Sequence, residues 1–376
     1  MPRARLRVVF AILAVCGCAP SQEGIHGDAG ASACGECHTT EYAAWATSRL
    51  ATSGSSPVFK ALSASAASAW GPSAQARCVA CHQPGYGGDH GIGCVSCHAA
   101  TGNLADRDGL LTVDVTAPVS GPFSAALPTP AHGSQAYGFL ESADLCGTCH
   151  EVTGPGLFHE TTLDEYSASS AATAGAVCAT CHMPALSQGP IAVGLTNKRT
   201  RTDHSFVGVD PPWAASAIDQ QTAAHRTLEL LRLGLTLTAV AAHDGQGIDV
   251  SLTNSAGHAT PTGVAFLRDI WVDVDFIGSD GTTASVPSVL ELGAQPTRSG
   301  QPVALITQAD AIESHALAAG ATISVHVVAG PTVSSPIRAV ITLRARAVRP
   351  AVLEALALED AGTEVPTHEV AVVRIP

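Results

Sequence analysis

Ten of the twelve cysteines fall into five pairs, each with two residues between and a histidine immediately after. They read CGECH (Cys34, Cys37, His38), CVACH (Cys78, Cys81, His82), CVSCH (Cys94, Cys97, His98), CGTCH (Cys146, Cys149, His150) and CATCH (Cys178, Cys181, His182). Two thiols at this spacing can form thioethers with the vinyl groups of a haem, and the next histidine is then carried beneath the iron as its proximal ligand. Paired cysteines also build zinc sites and, in exported proteins, disulfides. Neither use requires a histidine after every second cysteine, so the expectation is five c-type haems.

Each such iron has a second face. Methionine is a common partner there, but apart from Met1 the chain has only Met183, which directly follows His182 and cannot reach the far side of its own haem. The remaining eleven histidines are therefore the source of distal ligands, and two histidines per iron imply lower potentials than a histidine and a methionine. His132 in TPAHGSQAYGFL, His204 in RTDHSFVG and His258 in NSAGHATPTG lie in turn-rich segments and rank first. His90, His26 and His159 follow. His225 falls on an expected helix, and His243, His315, His326 and His368 are expected to be structural.

Five macrocycles between Cys34 and His182 would leave about 30 residues for each, so the cofactors must supply much of the buried surface themselves. Short helices around the attachment sites, joined by loops rich in Gly, Pro and Ser, are expected. The short gap between His82 and Cys94 predicts that the second and third haems lie close together.

After Cys181 the texture changes. Ala214 to Leu233 reads as a helix ending at Gly234, and beyond it apolar residues recur at period two: Leu235, Leu237 and Ala239; Ile248, Val250 and Leu252; Ile270, Val272, Val274 and Phe276; Ile323, Val325 and Val327; Ala339, Ile341, Leu343 and Ala345. A β-sandwich of roughly seven strands fits this pattern. Ala351 to Glu359 is compatible with either a helix or a strand. The fold class expected is thus two-part: a multihaem domain of short helices and loops at 34–210, a connecting helix at 211–234 and an all-β sandwich-like domain at 235–376. The 376 residues suit two domains.

Upstream, Arg3, Arg5 and Arg7 precede an apolar run from Val8 to Val15 that is too short to span a bilayer, which reads as an export signal over 1–17, with 18–33 as a linker. The run ends Val15-Cys16-Gly17-Cys18, and Cys18 is the expected lipidation site; an ordinary secretory cleavage near Ala19 is the alternative. Removing that signal removes three of the 19 basic residues and none of the 32 acidic ones, leaving a formal charge of −16. This disfavours nucleic acid, whose phosphates need clustered Lys and Arg, and favours a basic redox partner protein.

The motifs resemble the multihaem c-type cytochromes of the cytochrome c-554 and related type. The resemblance rests on the first motif with Tyr42, Trp45 and Ser48, on LCGTCH and CATCHMP, on the HSF at His204, and on AGHATPTG followed by Trp271. It implies bis-histidine haems stacked in close pairs and supports His132, His204 and His258 as distal ligands. It departs at one place: relatives usually carry a distal histidine two residues after the serine of the first segment, where this chain has Leu50.

Two functions follow as expectations. The first is electron transfer between the five haems and a redox partner protein in the cell envelope, by a periplasmic or outer-membrane-associated lipoprotein. The second is a multihaem oxidoreductase acting on a small nitrogen or oxygen compound at one open iron, which the residue at Leu50 would leave without its usual ligand. The carrier is preferred, because no motif replaces its histidine with lysine. The β domain could serve as a docking module in either case.

Overall fold

The computed structural model describes residues 30–85, 91–103, 111–122, 131–210, 217–243, 247–331, 333–334, 338–359 and 365–376. The export signal, Cys18, His26 and His90 lie outside the described residues. No described helix is long and apolar enough to cross a membrane.

Up to Asp210 the chain is built of short helices and two-stranded ribbons. Its longest helix, Pro57–Trp70, starts with proline at its first turn, and the Ser56 side chain accepts a hydrogen bond from the Phe59 amide (3.3 Å). Gly71, at φ +92°, turns the chain into the helix Pro72–His82, which ends on the second motif. The other motifs sit in or at the ends of the helices Ala31–Gly35, Cys94–His98, Ala143–His150 and Cys178–His182. A single helical turn brings residues i, i+3 and i+4 to one face, so both cysteines and the histidine of each motif look the same way.

The helix Ala217–Gly234 follows, with Leu231 buried and Leu228 packed behind it. Seven strands then form two antiparallel sheets: β1 (Leu235–Ala241), β2 (Gly247–Asn254), β3 (Asp269–Ile277), β4 (Thr283–Leu292), β5 (Thr322–Val328), β6 (Arg338–Arg346) and β7 (Thr367–Ile375). One sheet has the order β5-β2-β1, the other β4-β3-β6-β7. Ile248, Val250 and Leu252 of the first sheet face Ile270, Val272, Val274, Phe276, Ile341 and Leu343 of the second in one core. On the outer face Arg344 and Arg346 pair across strands with Asp273 and Asp269, and the Arg346 guanidinium lies 5.0 Å above the Trp271 ring.

One expectation needs correcting, and one alternative is decided. Ile323 does not join the core; β5 is an edge strand, paired only with β2, and its end leaves Ile323 exposed. The stretch that was compatible with helix or strand opens as a helix, Pro350–Ala355, because Pro350 at its first turn fixes a helical φ and leaves no amide unpaired there.

A third, smaller sheet (Ala294–Arg298, Gln301–Pro302, Ala311–Ser314) lies beside a second core. In that core Val58 and Leu62 of the first region meet Phe266, Leu305, Ile306 and Val348 of the β region, and the Ser65 and Thr307 hydroxyls hydrogen-bond at 2.7 Å. The Arg268 guanidinium, 9% exposed, grips Asp210 with two hydrogen bonds (2.6 and 2.9 Å) and donates to the Ala347 carbonyl (2.8 Å). The β region is therefore packed onto the motif-bearing region through a shared apolar core and the ion pair of a buried Arg268 with a half-buried Asp210.

Candidate cofactor-binding site

All five motifs open onto one apolar cavity of about 2030 Å³. Its walls include the ten motif cysteines, the five motif histidines, His132, His204, His258 and Leu50. Among the described residues no disulfide joins these cysteines, and no group of three or more His, Cys, Asp or Glu is placed to close on one metal ion.

Three pairs of imidazoles face each other across the cavity. The ring centres of His38 and His132 are 6.3 Å apart, those of His98 and His204 6.3 Å, and those of His182 and His258 6.2 Å, with planes 26°, 15° and 18° from parallel. An imidazole nitrogen lies about 1.1 Å from its ring centre and a metal–imidazole bond is about 2.0 Å long, so two imidazoles on opposite sides of one metal have centres about 6.2 Å apart. The gaps are the size of one iron with a ligand on each face.

The tautomer is set as well. Each Nδ1 of these six rings contacts a backbone carbonyl, which can only accept: His38 donates to Ile191 (2.7 Å), His98 to Ser120 (2.7 Å), His182 to Val207 (2.6 Å), His132 to Gly133 (2.9 Å), His204 to Thr202 (2.8 Å) and His258 to Ala259 (2.8 Å). That leaves Nε2 as the lone-pair donor on each ring, and the carbonyl behind it fixes the ring's orientation. Burial pushes His98 and His182 below the ordinary histidine range, which keeps them neutral as ligation requires.

His258 reaches the motif region because its loop is pinned from within. Asn254, fully buried, donates to the carbonyls of His258 (2.9 Å) and Leu317 (2.8 Å) and accepts from the Ala256 amide (2.9 Å) and the Thr260 hydroxyl (3.2 Å). Glu165 then clamps the same loop through the Ala259 amide (3.1 Å) and the Thr262 hydroxyl (2.6 Å).

The remaining two motif histidines differ. His82 is half-buried, its buried Nδ1 has no hydrogen-bond partner among the described residues, and the Phe59 ring stacks on it at 4.1 Å. Burial, with the nearby Arg49 cation, pushes it down to about 4. His150 turns Nδ1 toward the buried Glu160 carboxylate at 3.4 Å. Desolvation by the surrounding chain would lower His150, whose ring is nonetheless open to the cavity side, but the carboxylate outweighs it and raises the pKa. No described histidine faces either ring across an iron-sized gap.

Contacts between motifs define an order. Cys34 neighbours Cys94, Cys81 neighbours Cys149, and Cys146 neighbours Cys178, while Cys97 lies within electrostatic reach of both Cys146 and Cys149. The first motif thus abuts the third, the third lies near the fourth, and the fourth abuts both the second and the fifth. Besides the short sequence gap that joins the second motif to the third, the helix Pro72–His82 carries Cys81 against the fourth motif.

His159 lies exposed on the short strand His159–Glu160 and is not among the residues lining the cavity. His368, expected to be structural, does line it. Leu50 lines it too; its carbonyl accepts from the Ile92 amide (2.9 Å), and Trp45 Nε1 donates to the Ile92 carbonyl (2.8 Å). These bonds hold the segment after the first motif against the entry to the third, and Gly91 is required there because a Cβ would come within 2.1 Å of the Leu50 oxygen. Sequence reasoning missed Asn254, Glu160, Arg268 and His368. A buried Asn ahead of a Gly- and Pro-bounded loop was a usable signal; the other three carry none.

Residues 33–100 match the family described as cytochrome c554 and c-prime. No curated protein matches the chain by sequence. Among solved structures, a penta-heme cytochrome c552 from Thermochromatium tepidum is similar in fold, with a TM-score of 0.67 at 17% identity, covering 93% of this chain and 99% of that one. The fold here is that of a multihaem c-type cytochrome, and the residues present fit its cofactor. Thiol pairs, neutral Nε2 donors and an apolar cavity are what c-type haem needs.

Proposed function

We propose that this chain, a multihaem c-type cytochrome by its fold and motifs, binds five haems and relays single electrons among them and to a redox partner protein in the cell envelope. Bound haem supplies a one-electron iron couple at each site. The observation that carries the reading is the set of three imidazole pairs spaced 6.2 to 6.3 Å apart, all opening onto one cavity shared by the five motifs. Two strong nitrogen ligands on one iron leave no position for substrate and favour reversible electron exchange over bond chemistry.

The chain's own residues set the route. Motif contacts run from first to third to fourth, where they branch to the second and the fifth. The neutral imidazoles and apolar walls limit the reorganisation that accompanies each change of charge. A lipid anchor at Cys18 would hold the molecule at a membrane surface, and its acidic charge would steer a basic partner toward it. Mass spectrometry of the protein from a host that attaches c-type haem should find five haems per chain, and a spectroelectrochemical titration should find five reversible one-electron steps. Fewer than five attached haems, or irreversible steps, would overturn the reading. A Cys18→Ala variant should leave the membrane fraction.

A second reading has one observation in its favour: no described histidine faces His82 or His150 across an iron-sized gap. One of those irons would then be open to a small nitrogen or oxygen compound, and the protein would be an oxidoreductase. A high-spin electron paramagnetic resonance signal that is lost on adding carbon monoxide to the reduced protein, together with turnover of such a compound, would favour it over the carrier.

A further inference from the structure

We infer that Glu160 is a positioning residue that makes His150 the most electron-donating of the motif histidines and so sets the potential of the fourth site below what a carbonyl partner would give. The inference rests on the five-haem reading above, since it needs an iron at His150.

The difference lies in what stands behind each ring. His38, His98 and His182 donate Nδ1–H to neutral backbone carbonyls at 2.6 to 2.7 Å. Among the described residues, His150 is the motif histidine that meets a carboxylate, Glu160 Oε1 at 3.4 Å. The contact is longer, but it carries a full negative charge on a carboxylate that is itself buried and so weakly screened. A carboxylate behind a ligating imidazole raises the ligand's basicity, and a more basic ligand stabilises the ferric over the ferrous state. The potential falls accordingly.

Glu160 is also held too firmly for an incidental contact. Thr162 donates to Oε1 at 2.5 Å, and Thr162 in turn meets the Thr262 hydroxyl at 2.8 Å. Gly263, at φ +69°, lies so close that a Cβ there would stand 2.8 Å from both carboxylate oxygens. Thr262 and Gly263 belong to the loop that presents His258. One loop of the β region therefore seats the carboxylate behind the fourth site and places the histidine facing His182 at the fifth. The AGHATPTG string gains a reason for each part: His258 as a facing imidazole, Thr262 as a tie and Gly263 as room for Glu160.

The fourth motif is also where the contacts branch. A lowered potential there would make it the site that is reduced last and gives its electron away first, toward the second or the fifth.

The test is spectroelectrochemistry on the full-length protein carrying all its haems. Glu160→Gln keeps the shape and an acceptor but removes the charge, so one of the five steps should shift to higher potential while four stay in place. Glu160→Asp should return that step toward its original position. Thr162→Val withdraws a donor from the carboxylate, leaves it a stronger acceptor for His150, and should shift the same step to lower potential. Opposite shifts of a single step are not what loosened packing would give. Five unmoved steps, or five that move together, would overturn the inference; should Glu160→Gln fail to accumulate, the sign of the Thr162→Val shift decides it. Peptide mass spectrometry showing no haem on Cys146 and Cys149 would instead fail the five-haem reading itself.

Discussion

The imidazoles of His182 and His258 face each other 6.2 Å apart, one from the last cysteine motif and the other from a loop of the β region. An imidazole pair shared between the two regions means that the sandwich supplies part of the wall of the cavity onto which the motifs open. It cannot be detached as a docking module without consequence. Deleting residues 235–376 should convert at least one low-spin haem to high-spin, and His258→Ala alone should convert one, as read by electron paramagnetic resonance. Unchanged spectra in both would show that His258 ligates nothing.

The loop geometry makes a separate claim about Asn254. Replacing it with leucine leaves the His258 carbonyl and the Ala256 amide without their side-chain partner, while the Leu317 carbonyl keeps the Thr260 amide. Burying unsatisfied backbone groups costs about 1 to 3 kcal/mol each before relaxation. Asn254→Leu should lower the denaturation midpoint and also broaden or convert the low-spin signal that depends on His258, linking stability to ligation.

Asp210 gives a pH dependence. Burial alone would raise its carboxyl, but the Arg268 guanidinium, with Arg49, holds it below the usual value of about 3.9. The depressed pKa contributes stability that is fully present above about pH 4 and is lost as the pH falls through the lower folded value. Asp210→Asn should remove that acid-limb contribution and, because it leaves the buried Arg268 without its anion, cost about 3 to 5 kcal/mol at neutral pH. Chemical denaturation across pH 3 to 7 checks both.

The branch at the fourth motif predicts unequal effects of removing single sites. Cys146→Ala with Cys149→Ala should remove one haem and interrupt exchange between the first and third sites and the fifth. Cys78→Ala with Cys81→Ala should remove one haem and leave that exchange intact. Flash-photolysis measurements of internal electron redistribution distinguish the two; equal slowing in both would contradict the order read from the cysteine contacts.

The motifs were legible in the sequence because thioether chemistry demands a fixed local spacing that one helical turn satisfies, and the strands because period-two burial is written along each segment. Val272, Val274 and Phe276 are fully buried as that pattern implies. The order of the motifs in space was not legible: Cys81 meets Cys149 through the packing of a helix, and nothing in the short gap before Cys94 encodes that. Strands β4 and β7 were also missed, since β4 carries Pro287 and alternates weakly, and both lie at the edges of their sheet. Glu160 escaped because a single acidic residue beside an exposed histidine reads as a solvated loop until the fold buries it behind His150.

The measurement that tests the electron-carrier account most directly is a redox titration of the purified holoprotein followed jointly by optical and electron paramagnetic resonance spectra. The account predicts five reversible one-electron steps, with at least three irons showing the low-spin bis-histidine signature assigned to the His38–His132, His98–His204 and His182–His258 pairs. Fewer than three bis-histidine low-spin irons, or steps that do not reverse, would contradict it.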